Sequence, residues 1–127
     1  MTMNTTQQKK ALRESILEKE RKLTAEEKKN QDLQIYERLI HLEEYKTSRT
    51  VFCFVGTEHE IDTKDFISTS LSLGKCVAVP LCTGKGRMEA RKIDSMGDLS
   101  PGFYGLLEPG NQCPVIAPED IDFAVVP

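Results

Sequence analysis

Apolar residues recur along this chain first at helical spacing and then in short continuous runs, and the change marks where helices give way to strands. From about Thr6 to Lys22 the sequence is rich in Lys, Glu, Leu and Arg, all strong helix formers. Leu12, Ile16 and Leu23 recur there at helical spacing and predict one narrow apolar face. Thr24-Ala25-Glu26-Glu27 reads as a capping box, with the Thr hydroxyl taking an amide proton and Glu27 reaching back. A second amphipathic helix is expected to about Leu42, with Leu33, Tyr36 and Ile40 on one face. Thr50 to Val55 is β-branched and aromatic without alternation, which predicts a strand covered on both faces. A polar loop, Gly56 to Asp62, follows. Asp62 or Thr63 then caps a helix running through Phe66, Ile67 and Leu71 to Leu73, with Gly74 as its stop. Lys75 to Val79 predicts a second buried strand, ended by Pro80, and Met88 to Ile93 a more polar strand near an edge. Residues 94–121 hold four of the six prolines and predict an extended, ordered loop. Asp122 to Val126, led in by the turn-prone Pro118-Glu119-Asp120, reads as a further buried strand.

Strand, helix and strand joined by short links form a βαβ unit with a right-handed crossover, so the fold class is α/β. A length of 127 residues suits a single domain, 1–127. Functional loops in open α/β sheets follow the carboxyl ends of the strands. The last strand pattern is followed only by Pro127, so a domain truncated on its C-terminal side is expected.

Charge removes some function classes. A net charge of −3 argues against an electrostatic nucleic-acid binder. No apolar run approaches the ~20 residues of a membrane span, and the first residues lack the apolar core of a signal peptide. A cytoplasmic protein is expected. The four cysteines, Cys53, Cys76, Cys82 and Cys113, contain no CxxC pair. Cys53 and Cys76 fall inside strand-like runs, where a thiol behaves as a small apolar group.

Three stretches carry candidate chemistry. Lys9 and Arg13 lie four apart, on one side of a helix, near an end where cations oppose the macrodipole. The pair either meets an anionic ligand or forms a solvated basic face. The loop after the first strand offers Glu58, His59 and Glu60 for binding or proton transfer. A carboxylate such as Glu60 can accept paired N–H donors from a heterocycle, and the alternative is a polar connection. Gly84-Lys85-Gly86-Arg87 matches neither GxGxxG nor the P-loop spacing and reads as a turn between strands. Cys82 has no base tied to it by sequence, and no catalytic triad emerges.

Taken in order, Lys9-Lys10-Ala11-Leu12-Arg13, His59 to Asp62, Gly74 to Pro80, Pro101 to Pro109 and Asp122 to Pro127 resemble the 5-formyltetrahydrofolate cyclo-ligase family. The stretch from Pro101 to Pro109 is similar to that family's Pro-x-x-x-Gly-x-x-Glu-Pro segment most closely. The resemblance implies a three-layer, Rossmann-like α/β fold with a mostly parallel sheet and two helices before it. It implies ATP-dependent ligase chemistry: ATP phosphorylates the formyl oxygen of 5-formyltetrahydrofolate, nitrogen 10 attacks, and loss of phosphate leaves the 5,10-methenyl product. Lys9 and Arg13 match the family's ATP-binding Lys-x-x-x-Arg, Val55 an apolar substrate contact, and Glu60 the glutamate that binds folate. The family's glycine-rich tyrosine segment, which supplies much of the ATP and magnesium (Mg2+) site, is not among these residues. This chain alone is therefore expected to be impaired or inactive. The rival expectation is a non-catalytic truncated or degenerate homologue, a weak nucleotide or folate binder or a scaffold.

Overall fold

The computed structural model describes residues 8–10, 24–57, 60–102 and 106–127. Residues 8–10 are helical and exposed, and the rest of the first expected helix lies outside the described residues. Helix α1 (Ala25–Ile40) starts at Thr24, whose hydroxyl accepts the Glu27 N–H at 3.1 Å, the first half of the expected capping box. It ends one turn's fraction early, at C-cap His41 rather than Leu42. Tyr36, Leu39 and Ile40 pack against the core. Leu33 does not: it is 53 % exposed, because the helix touches the core with its C-terminal half. Helix α2 (Glu43–Thr47), too short for a periodic signal, delivers Tyr45 to the interior.

The strands are β1 (Thr50–Cys53), β2 (Cys76–Gly84), β3 (Arg87–Ile93), β4 (Leu99–Pro101), β5 (Leu107–Pro109), β6 (Val115–Ile116) and β7 (Phe123–Val125), with helix α3 (Lys64–Ser72) between β1 and β2. The main sheet is mixed, in the order β6-β3-β2-β1-β7. Strand β1 runs parallel to β2 and β7, while β3 is antiparallel to both β2 and β6. Four of the five strands thus point the same way, and β3 alone is reversed. Parallel β1 and β2 need the crossover that α3 supplies. That helix stops as its sequence predicts. Gly74 adopts φ +77°, its N–H reaches Leu71 O at 3.0 Å, and the Lys75 N–H reaches Ser70 O at 3.1 Å. Both bonds of a Schellman stop are present.

The core lies where the helices cover this sheet. Tyr45, Phe66 and Ile67 pack over Val51, Cys53, Val77 and Val79. The Tyr45 ring meets Phe66 at 5.0 Å and Phe123 at 5.6 Å. The opposite face holds Phe52 and its partner Ala78, also buried, as the unalternating pattern of β1 requires.

Three expectations need correction. Strand β2 does not end at Pro80 but runs to Gly84. Its parallel partner β1 reaches only Ala78, so beyond that point a residue without an N–H forfeits nothing to β1. Residues 94–121 are not one loop, for β4 and β5 pair within them and β6 joins the main sheet. The last strand is not buried. Among the described residues β7 has β1 on one side and no strand on the other, leaving Ala124 exposed and Phe123 and Val125 half-buried. Its entry is fixed by Asp122, whose carboxylate accepts the N–H groups of Arg49 at 2.9 Å and Thr50 at 3.0 Å.

Candidate functional site

The chain leaves β1 at the carboxyl edge of the parallel strands and turns back into α3, the position where α/β sheets carry ligands. Phe54 still follows the sheet, its N–H bonded to Val125 O at 3.2 Å. Val55 is half-buried against the core. At Gly56 the backbone passes very close to the far side of the turn. A Cβ there would lie 2.0 Å from Ile61 O, so no other residue fits without moving backbone.

Glu60 closes the turn on itself. Its carboxylate accepts the Thr57 N–H at 3.1 Å, and its own N–H donates to Thr57 O at 3.0 Å. One carboxylate oxygen is thereby oriented by the backbone, and the other remains to accept a donor from outside. The base of the turn is Thr63, which is 3 % exposed. Its hydroxyl donates to Phe54 O at 2.7 Å and accepts the Gly56 N–H at 3.1 Å. An apolar hollow of about 50 Å³ adjoins the turn between Tyr36, Leu39, Phe66 and Val125. It is small beside the ~300 Å³ at which ligand pockets begin, so the half-exposed turn itself is the candidate site.

The structure places Val55 and Glu60 on the same turn. Glu58 and His59 lie outside the described residues. Lys9 sits on the exposed helical segment 8–10, and among the described residues no hydrogen bond or ion pair joins it to the turn; Arg13 lies outside them. Lys85 and Gly86 form the turn between β2 and β3, with Gly86 at φ +71°, so that glycine-rich stretch is a hairpin and not a phosphate cradle. Cys53 is no nucleophile. Burial pushes its thiol up to about 12, against a smaller opposing effect of the Thr63 hydroxyl. All four cysteines are free. Gly56 and Thr63 are the two residues of the site whose roles the sequence did not disclose. The only available signals were a glycine directly after a strand and a threonine directly before a helix.

The model of the 5-formyltetrahydrofolate cyclo-ligase family matches residues 5–127. The chain belongs to that family. Among solved structures it is similar to the NMR structure of Aquifex aeolicus 5,10-methenyltetrahydrofolate synthetase, with a TM-score of 0.82 and 27 % identity over 93 % of this chain. The chain spans 59 % of the length of that structure. Among curated proteins none matches significantly. The likeness bears out the α/β fold and the family read from the sequence. Among the described residues no helix is long and apolar enough to cross a membrane.

Proposed function

We propose that this cyclo-ligase family member provides the folate-binding part of an ATP-dependent 5-formyltetrahydrofolate cyclo-ligase, within one α/β domain acting in the cytoplasm. The observation that carries the reading is the turn after β1, which holds half-buried Val55 and a Glu60 carboxylate oriented by the backbone N–H of Thr57. A reduced pterin offers paired N–H donors on one edge and an apolar ring face. A carboxylate accepts the former and Val55 packs against the latter. An orientation fixed before binding lowers the cost of ordering the site.

In this reading Lys9 and Arg13 hold the phosphates of ATP, Arg13 by a paired contact that a lysine cannot make. Transfer of the terminal phosphoryl group to the formyl oxygen forms a P–O bond and releases ADP. The N10 lone pair of the folate then bonds the activated carbon, the N10 proton passes to solvent, and phosphate departs with the former formyl oxygen to leave the 5,10-methenyl ring. What this chain's residues contribute to those steps is placement of the folate by Glu60 and Val55 and of ATP by the basic pair. Magnesium belongs to the same reading. Among the described residues, however, no group of three or more His, Cys, Asp or Glu side chains is arranged to hold a metal ion, and no step is derived through it.

The test is Glu60→Gln. The amide keeps the shape but replaces one acceptor with a donor, and a hydrogen bond to a charged group contributes about 1.5–3 kcal/mol. Calorimetric titration with 5-formyltetrahydrofolate is expected to show affinity lowered by that amount, with an unchanged circular dichroism spectrum. Equal affinity in the two proteins would sink the assignment.

A further inference from the structure

Thr63 occupies the N-cap of α3, where a threonine hydroxyl ordinarily accepts a helix N–H. Here it does not: no cap hydrogen bond is made by its side chain. The hydroxyl is turned back toward β1 instead, donating to Phe54 O at 2.7 Å and accepting the Gly56 N–H at 3.1 Å. These two backbone groups stand on either side of Val55. Asp62 takes over part of the capping, accepting the Lys64 N–H at 3.0 Å. The Thr63 carbonyl meanwhile accepts the Ile67 N–H at 3.0 Å, so the same residue is anchored in the first turn of α3. A single buried side chain thus ties the end of the strand to the start of the helix.

The consequence passes along the turn by named bonds. Thr63 fixes Gly56, Gly56 leads directly into Thr57, and both backbone groups of Thr57 hold Glu60. We propose that Thr63 is a positioning residue, which holds Val55 and, through Gly56 and Thr57, Glu60 in the shape that receives the N–H edge of a reduced pterin. The proposal rests on the folate reading above for its ligand. Its structural half, that Thr63 holds the turn, stands on the hydrogen bonds alone.

The two halves are tested separately on the same proteins. Thr63→Val keeps the volume and removes the hydroxyl, while Thr63→Ser keeps the hydroxyl and removes a methyl group. Amide hydrogen exchange is read at Gly56, Thr57 and Glu60, with Val51 and Val77 as reporters of the intact sheet. Affinity for 5-formyltetrahydrofolate is read by calorimetry. Thr63→Val is expected to speed exchange at the three turn amides about tenfold or more, and to weaken folate binding about tenfold, with the sheet amides unchanged. Thr63→Ser is expected to stay within about threefold of the parent in both, the hydrogen bonds being kept.

Unchanged exchange at the turn in Thr63→Val overturns the proposal, and so does a loosened turn with unchanged affinity. Should the valine protein fail to fold, the serine protein decides, and rapid exchange at Gly56 despite its hydroxyl overturns the proposal. A parent protein that gives no response to 5-formyltetrahydrofolate overturns the folate reading and the ligand half with it, while the exchange data still decide the structural half.

Discussion

Adding one methyl group at Gly56 should disable the candidate site while leaving the sheet in place. The Cβ of Gly56→Ala would stand 2.0 Å from Ile61 O and 3.0 Å from its carbonyl carbon, whereas real Cβ contacts do not fall below 3.0 Å. Both obstructing atoms are backbone and cannot swing aside as a side chain would. The turn must open by about 1 Å. Three hydrogen bonds depend on its closure: Gly56 N–H to Thr63, Thr57 N–H to the Glu60 carboxylate, and Glu60 N–H to Thr57 O. Each contributes roughly 0.5–1.5 kcal/mol net. Water replaces some of them at this half-exposed turn, so a loss of about 2 kcal/mol is expected, together with weaker binding of 5-formyltetrahydrofolate. The assay is urea unfolding followed by circular dichroism, with the midpoint lowered and the slope unchanged. Gly84→Ala is the control, since nothing lies within 4 Å of a Cβ built there. It should be neutral or slightly stabilising, within about 0.5–1 kcal/mol. Equal midpoints for the two variants would refute the argument from close approach.

Two further outcomes follow from the titratable groups. Cys82 is exposed while Cys53 and Cys113 are buried, and burial holds the Cys53 thiol protonated, up to about 12. Iodoacetamide at about pH 8 should therefore modify Cys82 first and Cys53 only on unfolding; mass spectrometry showing comparable rates would contradict this. The Asp122 carboxyl is held below its ordinary value of 3.8, chiefly by the N–H groups of Arg49 and Thr50. Because the folded-state value is the lower one, the stabilisation is present above the ordinary value and lost as pH falls through the lowered one. Asp122→Asn should thus flatten the acid side of the stability profile below about pH 4, and profiles of the same shape in acid unfolding would argue against that role.

The parts of the fold visible in the sequence are those set by local chemistry. Thr24 caps α1, Gly74 stops α3 and the unbroken apolar run makes β1, because capping, left-handed backbone and two-sided burial each leave a residue-type signature. Where pairing between distant segments decides, the signature fails. Pro80 looked like a strand end, yet β2 continues because β1 is shorter and β3 pairs on the other side. Phe123 to Val125 looked buried, yet burial depends on what flanks the strand and not on its residues. Short β4, β5 and β6 have too few residues for any period. The site divides the same way. Glu60 and Val55 were accessible through family likeness and their place after a strand. The sequence offers Asp62 or Thr63 as the helix cap; Asp62 accepts the Lys64 N–H, and only the closed backbone path shows that the Thr63 hydroxyl serves the turn.

The claim that the turn between β1 and α3 receives folate is tested most directly by amide NMR during titration with 5-formyltetrahydrofolate. Saturable shifts are expected to concentrate at Val55, Gly56, Thr57, Glu60 and Thr63, with those at β3 and the β4–β5 hairpin small. Absence of shifts at the turn, or shifts of equal size across the distant strands, would contradict it.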